Sequence, residues 1–203
     1  ENQDKIQRHL KLIKNAIETM DGFLDDTLVY EKIETEKILP QAEIIDIKDF
    51  FANKIFELKN TYGKNHKIAY TEDFKVKQLF IDKKLLNQII TNILSNAIKY
   101  SEENSLVKCS VCLNEENLQF TIKDEGKGIP QKDIERIYDS FFRAGNVTNE
   151  EGTGLGLSIV KASIDLLNGE IKIKSDVNHG TSVFVKIPAN IRAGKDNIIK
   201  ENT

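Results

Sequence analysis

Asn92 and Asn96 stand one helical turn apart, with Lys99 and Tyr100 a further turn along. The rest of the helix is strongly apolar, with Ile89, Ile90, Ile93, Leu94, Ala97 and Ile98. On a helix this spacing gathers the four polar side chains on one face. A helix so apolar belongs on a sheet, where leucine would be the ordinary choice at those polar positions. The asparagines alone fit a solvated face as well as a ligand site. An asparagine carbonyl is a hard oxygen ligand suited to Mg²⁺, which takes one or two protein oxygens and completes its octahedron with phosphates and water. A lysine nearby supplies a point charge for phosphate.

Two further segments carry the same kind of chemistry. NLQFTIKD runs into Asp124-Glu125-Gly126-Lys127-Gly128-Ile129-Pro130. A carboxylate at a strand end, followed by glycines that admit close backbone approach, makes a corner for a flat ligand. Its acceptor oxygens match the exocyclic amine of adenine, whereas the carbonyl oxygen of guanine would oppose them. By itself D-x-G-x-G is also an ordinary turn. Further along, Gly152-Thr153-Gly154-Leu155-Gly156-Leu157-Ser158 opens directly into an amphipathic helix. Glycines at a helix start expose N–H groups to phosphate oxygens, and the helix dipole adds favourable charge. The spacing is not G-x-x-x-x-G-K-[ST], and no βαβ unit frames it as a dinucleotide fingerprint requires. Upstream, AGNVTNEE from 144 to 151 is polar and weakly patterned, as expected of a lid over a ligand.

The elements that must position these groups follow from periodicity. Ile6, Leu10, Ile13, Ile17, Met20 and Leu24 recur at steps of four, three, four, three and four. This is the seam of a helix packed in a bundle or coiled coil. Pro40 closes that helix, placing a boundary near 38–42. Beyond it the pattern predicts a strand (EIIDI), a helix ending at Gly63, strands KIAYTE and KQLFI, and the long helix of residues 84–100. Two alternating strands, SLVKCSVCL and NLQFTIKD, come next, joined by the turn NEE. The helix LGLSIVKASIDLL and strands GEIKIKSD and TSVFVKIP complete the order. The expected fold class is α+β, a two-layer α/β sandwich. A mixed, largely antiparallel sheet is covered by helices on one face and preceded by one long bundle helix. The expected division is 1–39, 40–189 and a polar tail, 190–203.

Composition excludes other classes. In 203 residues, 29 Lys and Arg stand against 32 Asp and Glu for a net charge of −3, which disfavours a nucleic-acid binder driven by bulk charge. No run reaches the ~18 apolar residues of a membrane span, and the charged start is no signal peptide, so the expected location is cytoplasmic. Cys109 and Cys112 make a C-x-x-C spacing, but three residues along a strand means opposite faces, so the thiols cannot share a metal. His66 and His179 fall in turn-like stretches and read as surface residues.

In this order the segments resemble the catalytic and ATP-binding domain of sensor histidine kinases, within the superfamily shared with gyrase, Hsp90 and MutL proteins. NILSNAIKYS at 92–101 is similar to the N box, DEGKGI at 124–129 to the first glycine box, and SFFR at 140–143 to the phenylalanine box. GTGLGLSIV at 152–160 and GTSVF at 180–184 are similar to the later glycine boxes. The resemblance implies ATP and Mg²⁺ as cofactors. It assigns the metal to Asn96, and the phosphates and ribose to Asn92, Lys99 and Tyr100. Asp124, Gly126, Gly128 and Ile129 would hold adenine, with Thr181 behind it. Gly152, Thr153, Gly154, Leu155, Gly156 and Leu157 would face the phosphates, and Arg143 would stabilise γ-phosphate charge.

The first helix resembles the second helix of a dimerisation and histidine-phosphotransfer hairpin. That implies a homodimer when the hairpin is complete, relay to the receiver domain of a response regulator, and a membrane anchor only through upstream regions. The phosphoacceptor motif H-E-[LF]-[RK]-[TN]-P is absent, and His9, followed by Leu10-Lys11, does not replace it. Mg²⁺-dependent ATP binding without autophosphorylation is therefore expected. Two other readings remain at this level. A clamp-type ATPase would carry a water-activating glutamate where this chain has Asn92, and an amide is no general base. A non-catalytic nucleotide-sensing module would bind ATP weakly or not at all.

Overall fold

The computed structural model describes residues 39–61, 65–147, 150 and 152–189, with residues 5–7, 9, 10, 13, 14, 17, 20, 22, 24, 27, 28 and 31 of the N-terminal segment. The tail from 190, the helix end expected at Gly63, and residues 148, 149 and 151 of the expected lid lie outside the described residues. The six seam residues are all helical and each is between 53% and 64% exposed. At roughly 1.5–3 kcal/mol per buried side chain, this stripe holds stabilisation that the described residues of the single chain do not collect.

Strand β1 (Glu43–Asp46) leads straight into helix α1 (Ile47–Thr61). Asp46 starts the helix by accepting the amide of Asp49 on Oδ1 at 3.0 Å, an N-terminal cap that satisfies an otherwise unpaired donor. Ile47, Phe51, Ile55 and Leu58 form its buried face. Strands β2 (Lys67–Phe74) and β3 (Gln78–Ile81) precede helix α2 (Lys83–Lys99). Asp82 caps α2 through Oδ1, which accepts from Lys84 N at 2.9 Å and Leu85 N at 3.0 Å. Its Oδ2 accepts from Gln41 N at 2.7 Å, tying the residue after Pro40 to the start of α2.

Strands β4 (Leu106–Leu113) and β5 (Asn117–Lys123) form a hairpin. Its turn is set by Asn114, whose Oδ1 accepts from Glu116 N and Asn117 N at 2.9 and 2.8 Å. Asparagine is favoured there because its side chain bonds the backbone two and three residues on. A short 3₁₀ helix (Gln131–Arg136), helix α3 (Gly156–Leu166) and the pair β6 (Glu170–Asp176) and β7 (Gly180–Pro188) follow.

The fold is α+β, as expected. The main sheet has the order β2-β4-β5-β7-β6, antiparallel except for β2 and β4, and β1 pairs with β3 in a separate two-stranded sheet. The parallel pair needs a crossover connection, and β3 with α2 provides it. Val107, Cys109, Val111 and Leu113 of β4 are buried, while Lys108 and Ser110 on the other face are exposed. Helices and inward strand residues share one core, where the rings of Phe51 on α1 and Phe120 on β5 meet edge-on at 5.7 Å. The sheet thus offers a fixed platform whose strand ends at 123 and 180 carry the site.

Candidate functional site

The apolar face of α2 buries Leu86, Ile89, Ile90, Ile93, Leu94 and Ala97, which turns Asn92 and Asn96 toward the beginning of α3. A Cβ placed on Gly156 would stand 2.8 Å from Asn92 Oδ1 and 3.8 Å from Asn96 Nδ2. Asn92 is oriented by its own amide, which donates to Gln88 O at 3.1 Å. At the end of the same helix Lys99 Nζ lies 5.1 Å from the centroid of the Tyr100 ring. Gly152 approaches this pair so closely that a Cβ there would come within 2.7 Å of Nζ. The α2 stripe and the 152–156 run, more than fifty residues apart, therefore line one surface. At that surface sits the N-terminus of α3, where unpaired amides and the helix dipole favour an anion.

Asp124 occupies the opposite end. It is only 6% exposed, and its Oδ1 accepts from Gly126 N at 2.9 Å and Thr181 N at 3.1 Å. Burial pushes its carboxyl above the usual range, and the two amide donors pull partly the other way. Around it the backbone is compressed. Gly180 has φ +87°, and a Cβ there would fall 2.1 Å from Asp124 O, while Gly128, at φ +63°, would clash with Asp176 O at 2.0 Å. Only glycine meets both demands. Behind this corner Ser175 Oγ accepts from Ile129 N at 2.9 Å, donates to Gly180 O at 2.9 Å and lies 2.8 Å from Thr181 Oγ1. The corner is joined to the α2 stripe by Lys127 N, which donates to Tyr100 O at 3.0 Å.

Residues 131–147 and 152–155 follow the corner in the chain. Asp133 is buried and accepts from Gly145 N at 3.1 Å. Phe141 N donates to Gly154 O at 3.1 Å. Leu155 is fully buried, with its amide on Thr153 Oγ1 at 3.1 Å, so it anchors the start of α3.

The sequence pattern described as "Histidine kinase-, DNA gyrase B-, and HSP90-like ATPase" matches residues 81–191, which hold the site from α2 through β7. The chain belongs to this family. Its 194 aligned residues are 33% identical to the sensor histidine kinase WalK of Bacillus subtilis (strain 168), covering 93% of this chain and 31% of that protein. Two solved structures share the fold. One is the histidine kinase AdeS of Acinetobacter baumannii (TM-score 0.71, 23% identity, 89% of this chain and 84% of that one). The other is full-length ShkA in complex with AMPPNP (TM-score 0.76, 18% identity, 90% of this chain and 38% of that one). The chain spans less than half the length of the curated relatives it matches.

Within this ATPase-family domain the expected site residues fall into two groups. Asn92 and Asn96 face Gly156 at the start of α3, and Lys99 and Tyr100 face Gly152, while Gly154 lies against Phe141 and Thr153 holds Leu155 N; Asp124, Gly126, Gly128, Ile129 and Thr181 form the buried corner. Leu155 is wholly buried and offers only backbone, and Leu157 is half-buried beside it. Arg143 is placed differently from a group awaiting phosphate. Its Nη2 donates to Val147 O at 2.7 Å and to Glu150 O. Three participants went unforeseen: Ser175 at the end of β6, and the ion pair of Lys127 with Glu150. Lys127 stood inside a glycine motif, which was the one available signal.

The donor set suits Mg²⁺ held mainly by a phosphate ligand. Among the described residues no cluster of three or more His, Cys, Asp or Glu could hold a metal alone; the side-chain amide of Asn96 offers a hard oxygen of the kind Mg²⁺ accepts. The two thiols diverge as expected. Cys109 is buried, its pKa pushed up to about 12 by desolvation, and Cys112 on the other face is half-buried. His179 is exposed, but His66 corrects its expectation as a surface residue, because both ring nitrogens are buried with no hydrogen-bond partner. Beside it Lys67 N donates to Ser105 O at 3.0 Å, which fixes the backbone next to His66 against the residue before β4. Among the described residues no helix is long and apolar enough to cross a membrane.

Proposed function

We propose that the chain binds Mg²⁺–ATP and serves as the catalytic part of a sensor histidine kinase. It would pass the γ-phosphoryl group to a histidine imidazole, with ADP leaving, for later relay to a response regulator aspartate. The observation that carries this reading is the convergence of the α2 amides on Gly156 while Asp124, pinned by two amides, closes the other end. Together they form a base corner and an anion-favouring helix start on one surface. The remaining oxygen of Asp124 accepts the adenine amine, and Ile129 packs on the ring. Asn92, Lys99 and Tyr100 orient ribose and phosphates, and the 154–157 amides donate to phosphate oxygens, that of Leu155 after leaving Thr153 Oγ1. Asn96 would hold Mg²⁺, which when bound would supply charge neutralisation for the transferring group. Arg143 moves from its carbonyl partners to the γ-phosphate, adding electrostatic stabilisation.

Residues 1–39 are read as the second helix of a dimerisation hairpin, 40–189 as the catalytic domain and 190–203 as a tail. The exposed seam then pairs with bundle helices of a homodimer in the cytoplasm. The test is calorimetry with ATP, with and without Mg²⁺, alongside incubation with γ-labelled ATP. The expected result is Mg²⁺-dependent binding and no acid-labile phosphate on the chain. Phosphate that appears and is lost in His9→Ala would overturn the second half. An absence of ATP affinity at millimolar concentration would favour the nucleotide-sensing alternative. Asn92 offers no base for water, so steady-state hydrolysis stays near background; rapid turnover would favour the clamp-type ATPase.

A further inference from the structure

Glu150 belongs to none of the matched motifs, yet its surroundings are made of the cations that a nucleotide's phosphates would seek. Its carboxylate pairs with Lys127 Nζ. Its backbone carbonyl accepts from Arg143 Nη2, which also holds Val147 O at 2.7 Å. Asn146 fastens the same segment to the base corner, with Nδ2 donating to Gly128 O at 2.9 Å and to Lys127 O at 3.3 Å. Gly152, two residues on, brings backbone against Lys99 Nζ. The Glu150 carboxyl is held below its ordinary range, chiefly by the hydrogen bond and charge of Lys127, with Lys99 and Arg143 contributing. All three cations thus lie within electrostatic reach of one acidic side chain.

We propose that Glu150 is an internal competitor for nucleotide phosphate, neutralising Lys127 and keeping Arg143 on the segment's carbonyls until a phosphate chain displaces it. This rests on the nucleotide reading of the site and adds a step to it. A polyanion entering between Asp124 and the start of α3 meets Lys127 and Arg143 only after their present acceptors give way. A carboxylate left beside the phosphates would repel them. Lys127 is rooted for the exchange, since its own amide is fixed on Tyr100 O while its side chain spans to the segment. The side chains of Lys127 and Glu150 are 47% and 34% exposed, so solvent screening keeps the contact weak enough to be displaced. What it tunes is discrimination: nucleotides with more phosphates displace the carboxylate more effectively than those with fewer.

The experiment is calorimetry of the full chain and of Glu150→Gln with ATP, ADP and adenosine, at low and high salt. Glu150→Gln keeps the side chain's shape and removes its charge. The expected result is about fivefold tighter ATP binding, a smaller gain for ADP and none for adenosine, the gain shrinking as salt rises. Equal melting temperatures of the two proteins show that the variant is folded. Unchanged or weaker ATP binding overturns the inference, and so does a gain of equal size for adenosine. If the wild-type chain binds ATP and Glu150→Gln alters nothing, only this inference falls. If the wild-type chain binds no ATP, the nucleotide reading falls with it.

Discussion

The two ends of the site are built by opposite means. Around Asp124 the geometry is held by backbone: amides of Gly126 and Thr181 fix the carboxylate, Ser175 locks the strand ends behind it, and glycines at 128 and 180 allow approaches that no side chain survives. Around Arg143 and Lys127 it is held by long side chains, half-exposed and bonded to carbonyls and a single carboxylate. The first region is finished before any ligand arrives. The second satisfies its own charges and has to be rearranged. Base recognition is therefore set by the fold, while engagement of phosphate is left to a competition between comparable partners.

Substitutions at paired positions test that contrast. Gly180→Ala places a Cβ against Asp124 O at a positive φ, so it should lower global stability by about 3 kcal/mol, read by denaturant unfolding. Gly156→Ala meets only the movable end of Asn92 and sits in a helix, so it should leave stability nearly unchanged while weakening ATP binding. Comparable losses of stability at both glycines would erase the distinction. Asp124→Asn should weaken ATP binding at least tenfold, or ~1.4 kcal/mol. The amides of Gly126 and Thr181 oblige the new side chain to point its oxygen at them, turning its NH₂ toward the base, where it opposes the adenine amine. GTP should gain relative to ATP, and retained ATP preference would mean that the base lies elsewhere.

Ser175→Ala should cost about 1–2 kcal/mol of stability by leaving Ile129 N–H without its acceptor. The smallest effect concerns pH. The raised carboxyl of Asp124 means that the folded chain binds this proton more tightly than the unfolded one. Its contribution therefore favours folding below the ordinary carboxylate range and is lost as pH rises through the raised value. ATP binding runs the other way, because only the ionised carboxylate accepts from adenine. Affinity should fall on acidification at a higher pH than an unperturbed aspartate would dictate. An ATP affinity flat down to pH 4 would sink this account.

Much of this arrangement was legible in the chain. Alternation in SLVKCSVCL assigned the faces of β4, including the divergence of Cys109 from Cys112, because a strand's period of two leaves little choice. The polar stripe of α2 was visible as amides in an otherwise apolar helix. The parallel pairing of β2 with β4 was not, because it depends on where α2 docks rather than on either strand's own pattern. Nor was Ser175, an ordinary serine in a strand until the turn at Gly180 folds over it. Lys127 and Glu150 are separated by 23 positions, and no local periodicity joins residues that far apart. Arg143 carried a charge suited to phosphate, but its carbonyl partners depend on the path of a loop.

The order of strands in the main sheet has a kinetic side. β5 pairs with β7, and every residue from 124 to 179 lies between their joined ends. The two hairpins, β4 with β5 and β6 with β7, form from neighbours in the chain. Joining them requires closing one long loop, and that loop contains the base corner, the 3₁₀ helix and the start of α3. Loop entropy opposes this step, and contacts so distant in sequence slow folding. Whatever binds across the corner and the α3 terminus straps the loop shut from within. Such a ligand should retard the parting of the two hairpins, so the site also serves as a clasp on the middle of the sheet.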